Sequence, residues 1–312
     1  MRAIADFFRN LAKRLPYPIF LRVFLKTNRV RERAAEALIQ RCGVPLLRPG
    51  VLEAGKTSDV LFVLGSGPSI NRISPERWRA IAQHDSAGLN FWLFHPFVPR
   101  FYFFESIGDF EPGYREFLAV AGRRAEDYRE TIKVVTFVHG SGQQTFGQVF
   151  QGDRNFYAAS AVQTPARNQR EIGYAIEYLA RRGAFDAGAG RQPFFKHASS
   201  LSLMISVATC MGYKKIVLCG VDLKTQEYFY QDPKLFPEGA RLETAPRALV
   251  HATQVAQEWL VPISIVLQRL REQVLQPRGI ELYVEHRGSA LWPAIEEAPE
   301  SLFANAAPAS SR

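Results

Sequence analysis

Gly65-Ser66-Gly67-Pro68-Ser69 directly follows the apolar run Val60–Leu64. Such a run predicts a strand buried on both faces of a parallel sheet. The two glycines let the backbone turn tightly and approach a neighbour, because no Cβ stands in the way. Pro68 is tolerated in a first helical turn. Strand, turn and helix start together make a corner able to accept a phosphate. The third glycine of a dinucleotide fingerprint is absent, and no Gly-Lys-Ser/Thr follows as in a P-loop. An ordinary strand-to-loop turn fits these residues equally well.

A second candidate set lies downstream. Ala198-Ser199-Ser200 opens an apolar stretch, and its hydroxyls can cap a helix. Lys214–Asp222 reads as a strand ending in an acid, at the end of a parallel strand where ligand sites form; Asp222 could equally cap a turn. A histidine suits general-base work because it titrates near working pH. His251 reads either as such a base or as a helix-entry histidine bonded to backbone. His197 is a second choice, or part of the helix cap. His84, His95 and His139 fall in loops and read as structural. Glu105 could bond a ribose or sugar hydroxyl, or pair with Arg100 or Arg115. Tyr228 and Tyr230 are either phosphate donors or packing residues. The four tryptophans have no spacing that marks a site.

These residues need elements to position them. Strands are predicted at 60–64, 86–90, 101–104, 132–138, 214–222 and 279–284. Helices are predicted at 75–83, 114–124, 169–182 and 199–211, the last ended by Gly212. A further helix over 254–275 should be kinked or broken by Pro262. Alternating βαβ units imply a mainly parallel sheet. Residues 223–250 lack periodicity and read as a lid. Residues 2–15 read as an amphipathic helix ended by Pro16 and Pro18, with a more apolar segment over 18–25. Residues 43–58 look like a linker, and the tail from 304 reads as disordered.

Composition narrows the class. The chain has 312 residues, 47% hydrophobic and 22% charged, as in globular proteins. Its net charge of +9 is concentrated at one end: residues 1–55 hold eleven Lys/Arg against four acids. A nucleic-acid binder would spread basic residues over its working face, so nucleic acid is not expected. The basic first segment, residues 2–25, suits an anionic membrane surface or docking on the main domain. Cys42, Cys210 and Cys219 lack metal spacing and read as reduced thiols of the cytoplasm. No signal peptide is read at the start, and no apolar run reaches the ~20 residues that span a bilayer.

Three blocks combine into one pattern: Leu64-Gly65-Ser66-Gly67-Pro68-Ser69, Ala198-Ser199-Ser200, and Gly212-Tyr213-Lys214-Lys215-Ile216-Val217-Leu218-Cys219-Gly220-Val221-Asp222. The set resembles the bacterial sialyltransferases of glycosyltransferase family 42. It also resembles a wider Rossmann-like group that includes flagellin-modifying accessory factors and archaeal pterin pyrophosphokinases. The likeness runs from about Val60 to Ala294, and the last block is the most specific. The resemblance implies an α/β, Rossmann-like, mainly parallel sheet with helices on both faces. It implies a CMP-sugar as donor substrate, no further cofactor and no metal in the site.

Residue by residue, the resemblance places Gly65, Ser66 and Gly67 in the donor-binding turn, with Ser66 where Asn is usual. It makes Asn90 donor-binding and sets Ser199 and Ser200 against the donor's carboxylate and phosphate. It makes Tyr230, or nearby Tyr228, the holder of the leaving phosphate, and His251 the catalytic histidine. Glu105, His197 and Lys224 depart from the family's Asn, Arg and Tyr, which leaves the sugar open. Asp222 joins the donor-binding set by its position.

The expected organisation is a basic helical extension (1–55), a nucleotide-sugar domain (56–222 and 251–303), a lid (223–250) and a tail (304–312). The expected activity is inverting transfer of a CMP-activated acidic sugar (sialic acid, another nonulosonic acid or Kdo). The acceptor is a cell-surface or lipid-linked glycan of a bacterial lipopolysaccharide or capsule pathway. The expected location is cytoplasmic, at the inner membrane face, with a homo-oligomer left open. Alternatives are an ATP-dependent pyrophosphokinase-like enzyme and a nucleotide-binding scaffold without catalysis.

Overall fold

The computed structural model describes residues 15–105, 114–138, 150, 152–188, 193–242 and 251–304. The helix expected over 2–15, His139, residues 243–250 and the tail from 305 lie outside the described residues.

Nine strands form one parallel sheet: β1 (Val60–Leu64), β2 (Asp85–Leu89), β3 (Phe101–Glu105), β4 (Ile132–Val138), β5 (Phe156–Gln163), β6 (Phe194–Lys196), β7 (Lys215–Cys219), β8 (Glu281–Val284) and β9 (Glu296–Glu297). Their spatial order is β6-β5-β4-β3-β2-β1-β7-β8-β9, and every neighbouring pair runs parallel. The chain winds outward from β1 to β6, returns across the sheet, and continues outward on the other side from β7. β1 and β7 therefore flank the point where the winding reverses. Alternate residues along each strand serve opposite faces. Leu61 and Val63 enter one core, and Val60, Phe62 and Leu64 enter the other.

The first face is covered chiefly by α5 (Gln169–Ala180), α6 (Ser200–Cys210) and α7 (Ile263–Leu270). The second face is covered by α3 (Pro75–Ile81), α4 (Tyr114–Arg124) and the irregular segments around Trp92 and Phe229. α6 is buried along almost its whole length, as its uniformly apolar sequence requires. A Rossmann-like α/β fold with helices on both faces is thus what the structure contains.

Three expectations are corrected, on residues 17–41, on the linker and on the helix from 254. The apolar segment expected over 18–25 lies in α1 (Tyr17–Arg41), with Pro18 in its first turn, where its missing N–H costs nothing. Tyr17 and Leu21 enter one core and Ile39 the other, and the Tyr17 hydroxyl donates to the Pro165 carbonyl at 2.7 Å. Residues 17–41 are therefore part of the main domain and not a separate extension. The stretch read as a linker includes a short helix, α2 (Val51–Gly55), and a strand-like bridge from Leu46 to Ala158. The helix expected from residue 254 begins only at Ile263, directly after Pro262.

Residues 223–242 are the described part of the insert expected as a lid. Phe229 and Tyr230 are buried, Phe229 against Trp92 and Phe236 and Tyr230 against Phe91 and Phe94. The Phe229 amide donates to the Ser66 carbonyl at 2.9 Å. This part of the insert is anchored by an aromatic core.

Candidate functional site

The carboxyl ends of β1, β2, β3, β6 and β7 converge on a cavity of about 310 Å³. It opens where the winding reverses, the place where open parallel sheets bind ligands. Three of its lining residues, Asn90, Ala198 and Leu223, hold left-handed backbone at φ 51°, 60° and 58°. Non-glycine residues take this conformation at a cost of order 1–3 kcal/mol, and such residues concentrate at working sites. Only two others, Phe150 and Trp259, occur among the described residues.

The glycine turn forms the cavity floor, braced from behind. The Gly65 amide donates to the Cys219 carbonyl at 2.8 Å, and the Gly67 amide to the Gly220 carbonyl at 2.7 Å. The Ser69 amide donates to Asp222 Oδ2 at 2.9 Å. A Cβ on Gly67 would lie 2.4 Å from that same carboxylate oxygen and 2.7 Å from the Gly220 carbonyl. The glycine is thus required by close packing of the β1 and β7 loops. The helix start offers less to an anion than its sequence suggests. It is a five-residue 3-10 turn, Pro68–Arg72, and its Ser69 amide already serves Asp222.

Asp222 itself is braced. His286 Nδ1 accepts the Gly288 amide at 2.9 Å, so Nε2 carries the proton and donates to Asp222 Oδ1 at 3.0 Å. Burial pushes this carboxyl up, but the hydrogen bonds from His286 and Ser69 outweigh it and hold it below the ordinary aspartate value. Asp222 lines the cavity, and its bonds make it the clamp of the turn.

The amino end of α6 offers a better anion seat. Ser199 is its N-cap, accepting the Leu201 amide at 3.2 Å. The other first-turn amides lack intrahelical acceptors, and the helix dipole adds positive potential there. Ser200 Oγ accepts from Asn90 Nδ2 at 3.2 Å and donates to Glu105. Glu105 pairs with the buried Lys196 ammonium at 2.6 Å. Neither Arg100, which pairs with Asp85, nor Arg115 is its partner in this arrangement. Lys196 would be costly to bury unpaired, so a carboxylate at position 105 has a clear physical reason.

His251 and Tyr228 also line the cavity, with rings edge to face at 6.1 Å. Burial lowers the His251 pKa from its ordinary value of 6.5, which favours the neutral ring. Its Nδ1 contacts Thr253 Oγ1 at 2.9 Å and accepts the Thr253 amide at 3.3 Å. An amide can only donate, so in this arrangement Nε2 carries the proton. Burial raises the Tyr228 pKa, keeping its hydroxyl a hydrogen-bond donor.

Three expected residues are placed elsewhere. His197 is fully buried, with Nδ1 donating to the Thr164 carbonyl at 2.6 Å and Nε2 accepting the Val261 amide at 2.8 Å. Both ring nitrogens are engaged by backbone, so it serves the fold and not proton transfer. Tyr230 is buried beneath Tyr228, stacked at 5.3 Å, and is not in the cavity lining. Lys224 is exposed and outside the lining. The remaining predicted residues, Gly65, Ser66, Gly67, Asn90, Glu105, Ser199, Ser200, Asp222, Tyr228 and His251, share the one cavity.

Sequence reasoning missed Lys196, Thr253 and His286. Lys196 and His286 each stand at or just beyond the carboxyl end of a short parallel strand, and that position was the available signal. No group of three His, Cys, Asp or Glu side chains is placed to hold a metal among the described residues.

No protein-family model and no curated protein matches the chain. Among solved structures it is similar to the sialyltransferase CST-II, a substituted form in complex with CMP. The TM-score is 0.43 at 17% identity, covering 79% of this chain and 89% of that one. A likeness of that size leaves the chemistry of this chain to its own residues.

Proposed function

We propose that the protein is a glycosyltransferase that takes a CMP-activated acidic sugar and passes it to a glycan hydroxyl with inversion. One observation carries this reading. A helix amino end with two serines, a buried ammonium, a braced glycine floor and a neutral histidine all meet in one cavity at the reversal of the sheet. The cavity's size lies at the lower end of ordinary ligand pockets, roughly 300–1,000 Å³. The α6 amino end and the Ser199 hydroxyl suit the phosphate and carboxylate of such a donor.

In the proposed reaction, the acceptor oxygen attacks the anomeric carbon while His251 takes its proton. The bond between that carbon and the phosphate oxygen breaks, and CMP leaves with the electron pair. Tyr228 and the Ser199 hydroxyl would donate to the departing phosphate, while the Ser200 proton already serves Glu105. Tyr230 supports Tyr228 by stacking, and Gly65-Ser66-Gly67 and Asn90 shape the nucleotide floor. Sugar nucleotides of this type carry an internal carboxylate beside the phosphate, which reduces the need for a divalent ion. The donor is a substrate, and no additional cofactor is invoked.

The test is calorimetric titration with CMP and with ATP plus Mg²⁺, followed by release of CMP from a set of CMP-sugars. We expect CMP to bind, one donor to be turned over, and His251→Asn to lower turnover by about 10²-fold or more. Binding of ATP–Mg²⁺ without CMP would replace this reading with a pyrophosphokinase. CMP binding with no turnover of any donor would leave a scaffold.

A further inference from the structure

We infer that the outward face of α1 is a docking surface for anionic phospholipid. One side of this 25-residue helix is fixed in the fold by Tyr17, Leu21, Glu32 and Ile39, all buried. Its opposite side exposes Ile19, Val23 and Val30 at 50%, 53% and 71%. Seven large hydrophobics stand exposed among the described residues, and three of them fall on this one helix. Isolated exposed aliphatics need no explanation, but a row at helical spacing does.

The charge beside that row selects the partner. Arg22, Lys26, Arg29, Arg33 and Arg41 are all exposed. The helix has two carboxylates: Glu32 is buried, with its Oε1 accepting the Ser160 hydroxyl at 2.9 Å, and Glu36 is half-buried. Apart from the half-buried Glu36, the charges of the exposed face are cationic, and aliphatics line it. A second copy of the same face would repel it. A duplex or an acidic peptide would answer the cations but leave the aliphatic row in water. A leaflet of anionic headgroups over acyl chains answers both. At 1.5 Å per residue the helix could lie along about 37 Å of such a surface.

The helix also reaches toward the cavity. The Phe20 ring lies 5.0 Å from that of Trp259. Trp259 belongs to the irregular segment 251–262, which contributes His251 and Thr253 to the cavity and whose Val261 amide binds His197, next to Ala198. Docking through α1 would hold that segment near the lipid surface. The inference rests on surface chemistry alone and stands apart from the proposed reaction.

The test is co-sedimentation of the intact chain with phosphatidylcholine vesicles, with and without phosphatidylglycerol, across a salt series. The chain should sediment with the anionic vesicles and not with the neutral ones. Each cation beside an anionic leaflet is worth roughly fivefold in partitioning. The triple variant Arg22→Glu, Lys26→Glu, Arg33→Glu should therefore bind at least about tenfold more weakly, with an unchanged melting curve. Ile19→Ser with Val23→Ser should leave binding that salt abolishes more readily. Failure of the intact chain to sediment overturns the inference. So does undiminished binding of the triple variant, which would place any contact elsewhere in the chain. Equal binding to duplex DNA or polyglutamate, insensitive to the two serine substitutions, overturns it in favour of a charge-only partner.

Discussion

At the residue scale, His251 shows how a site depends on one neighbour. The Thr253 amide stabilises a ring with its proton on Nε2, whereas a base needs that nitrogen's lone pair. Shifting the proton to Nδ1 gives up the amide contact and leaves the Thr253 hydroxyl as the acceptor. Thr253→Val keeps the shape and removes that acceptor. We expect kcat to fall about tenfold with little change in donor KM, less than the loss of the base itself. In wild type, activity should fall as pH drops through an apparent pKa below 6.5, because burial disfavours the imidazolium. An acid limb unchanged in His251→Asn would assign that titration to another group. His251 is singled out mainly by the resemblance, whereas the glycine turn could be read from residue type and neighbours. Lys196 could not, because its meaning comes from burial beside Glu105, 91 residues away in the chain. The resemblance favours Tyr230 over Tyr228 as the phosphate holder, and packing reverses that order: Tyr230 is the stacked support and Tyr228 the cavity wall.

At the element scale, the clearest units were strands with unbroken apolar runs. β5 escaped because its Ala-Ala-Ser-Ala centre has low strand propensity, and β6 because three residues carry no period. Proline acts at helix starts here: Pro18 fits a first turn, and Pro262 marks a helix start instead of the expected kink. The site depends most on the junction of the β1 and β7 loops, where the Gly67 position has no room for a methyl group. Gly67 itself has ordinary extended backbone, φ −69°, so the constraint is steric and not conformational. Gly67→Ala should cost roughly 1–3 kcal/mol, the usual range for overpacking, and weaken nucleotide binding together with stability. Thermal denaturation checks this, and an unchanged melting temperature would remove crowding as the reason for glycine here.

At the scale of the whole molecule, the two cores sandwich one sheet, and the second encloses a histidine. His95 stacks on Trp92 at 4.5 Å, and its Nδ1 accepts the Phe97 amide at 3.1 Å. Burial, helped by the nearby Arg124 charge, pushes its pKa down to about 4 from 6.5. The folded state thus refuses a proton that the unfolded chain takes up below pH 6.5. Stability is undiminished above that value and declines as pH falls toward 4, by about 3 kcal/mol for this group. Urea melts at pH 7 and pH 4.5 should show a larger difference for wild type than for His95→Gln. Equal differences would mean that His95 is not a source of the acid sensitivity. The fold class was legible because βαβ alternation survives local errors. Which strand lies beside which was not, since order in a parallel sheet is set by crossovers and not by the strands' own residues.

The neighbours at the centre of the sheet are far apart in the chain. Val60 pairs with Lys215, so β1 waits for about 155 further residues before its second edge is covered. At ~5–20 residues per second, a ribosome needs roughly 8–30 s to supply them. For that interval the most apolar strand of the protein presents an unpaired edge, a template for pairing with another chain. The glycine turn, its carboxylate clamp and the cavity above them come into being only when β7 arrives. The nascent protein must be kept from its neighbours until that cavity can exist.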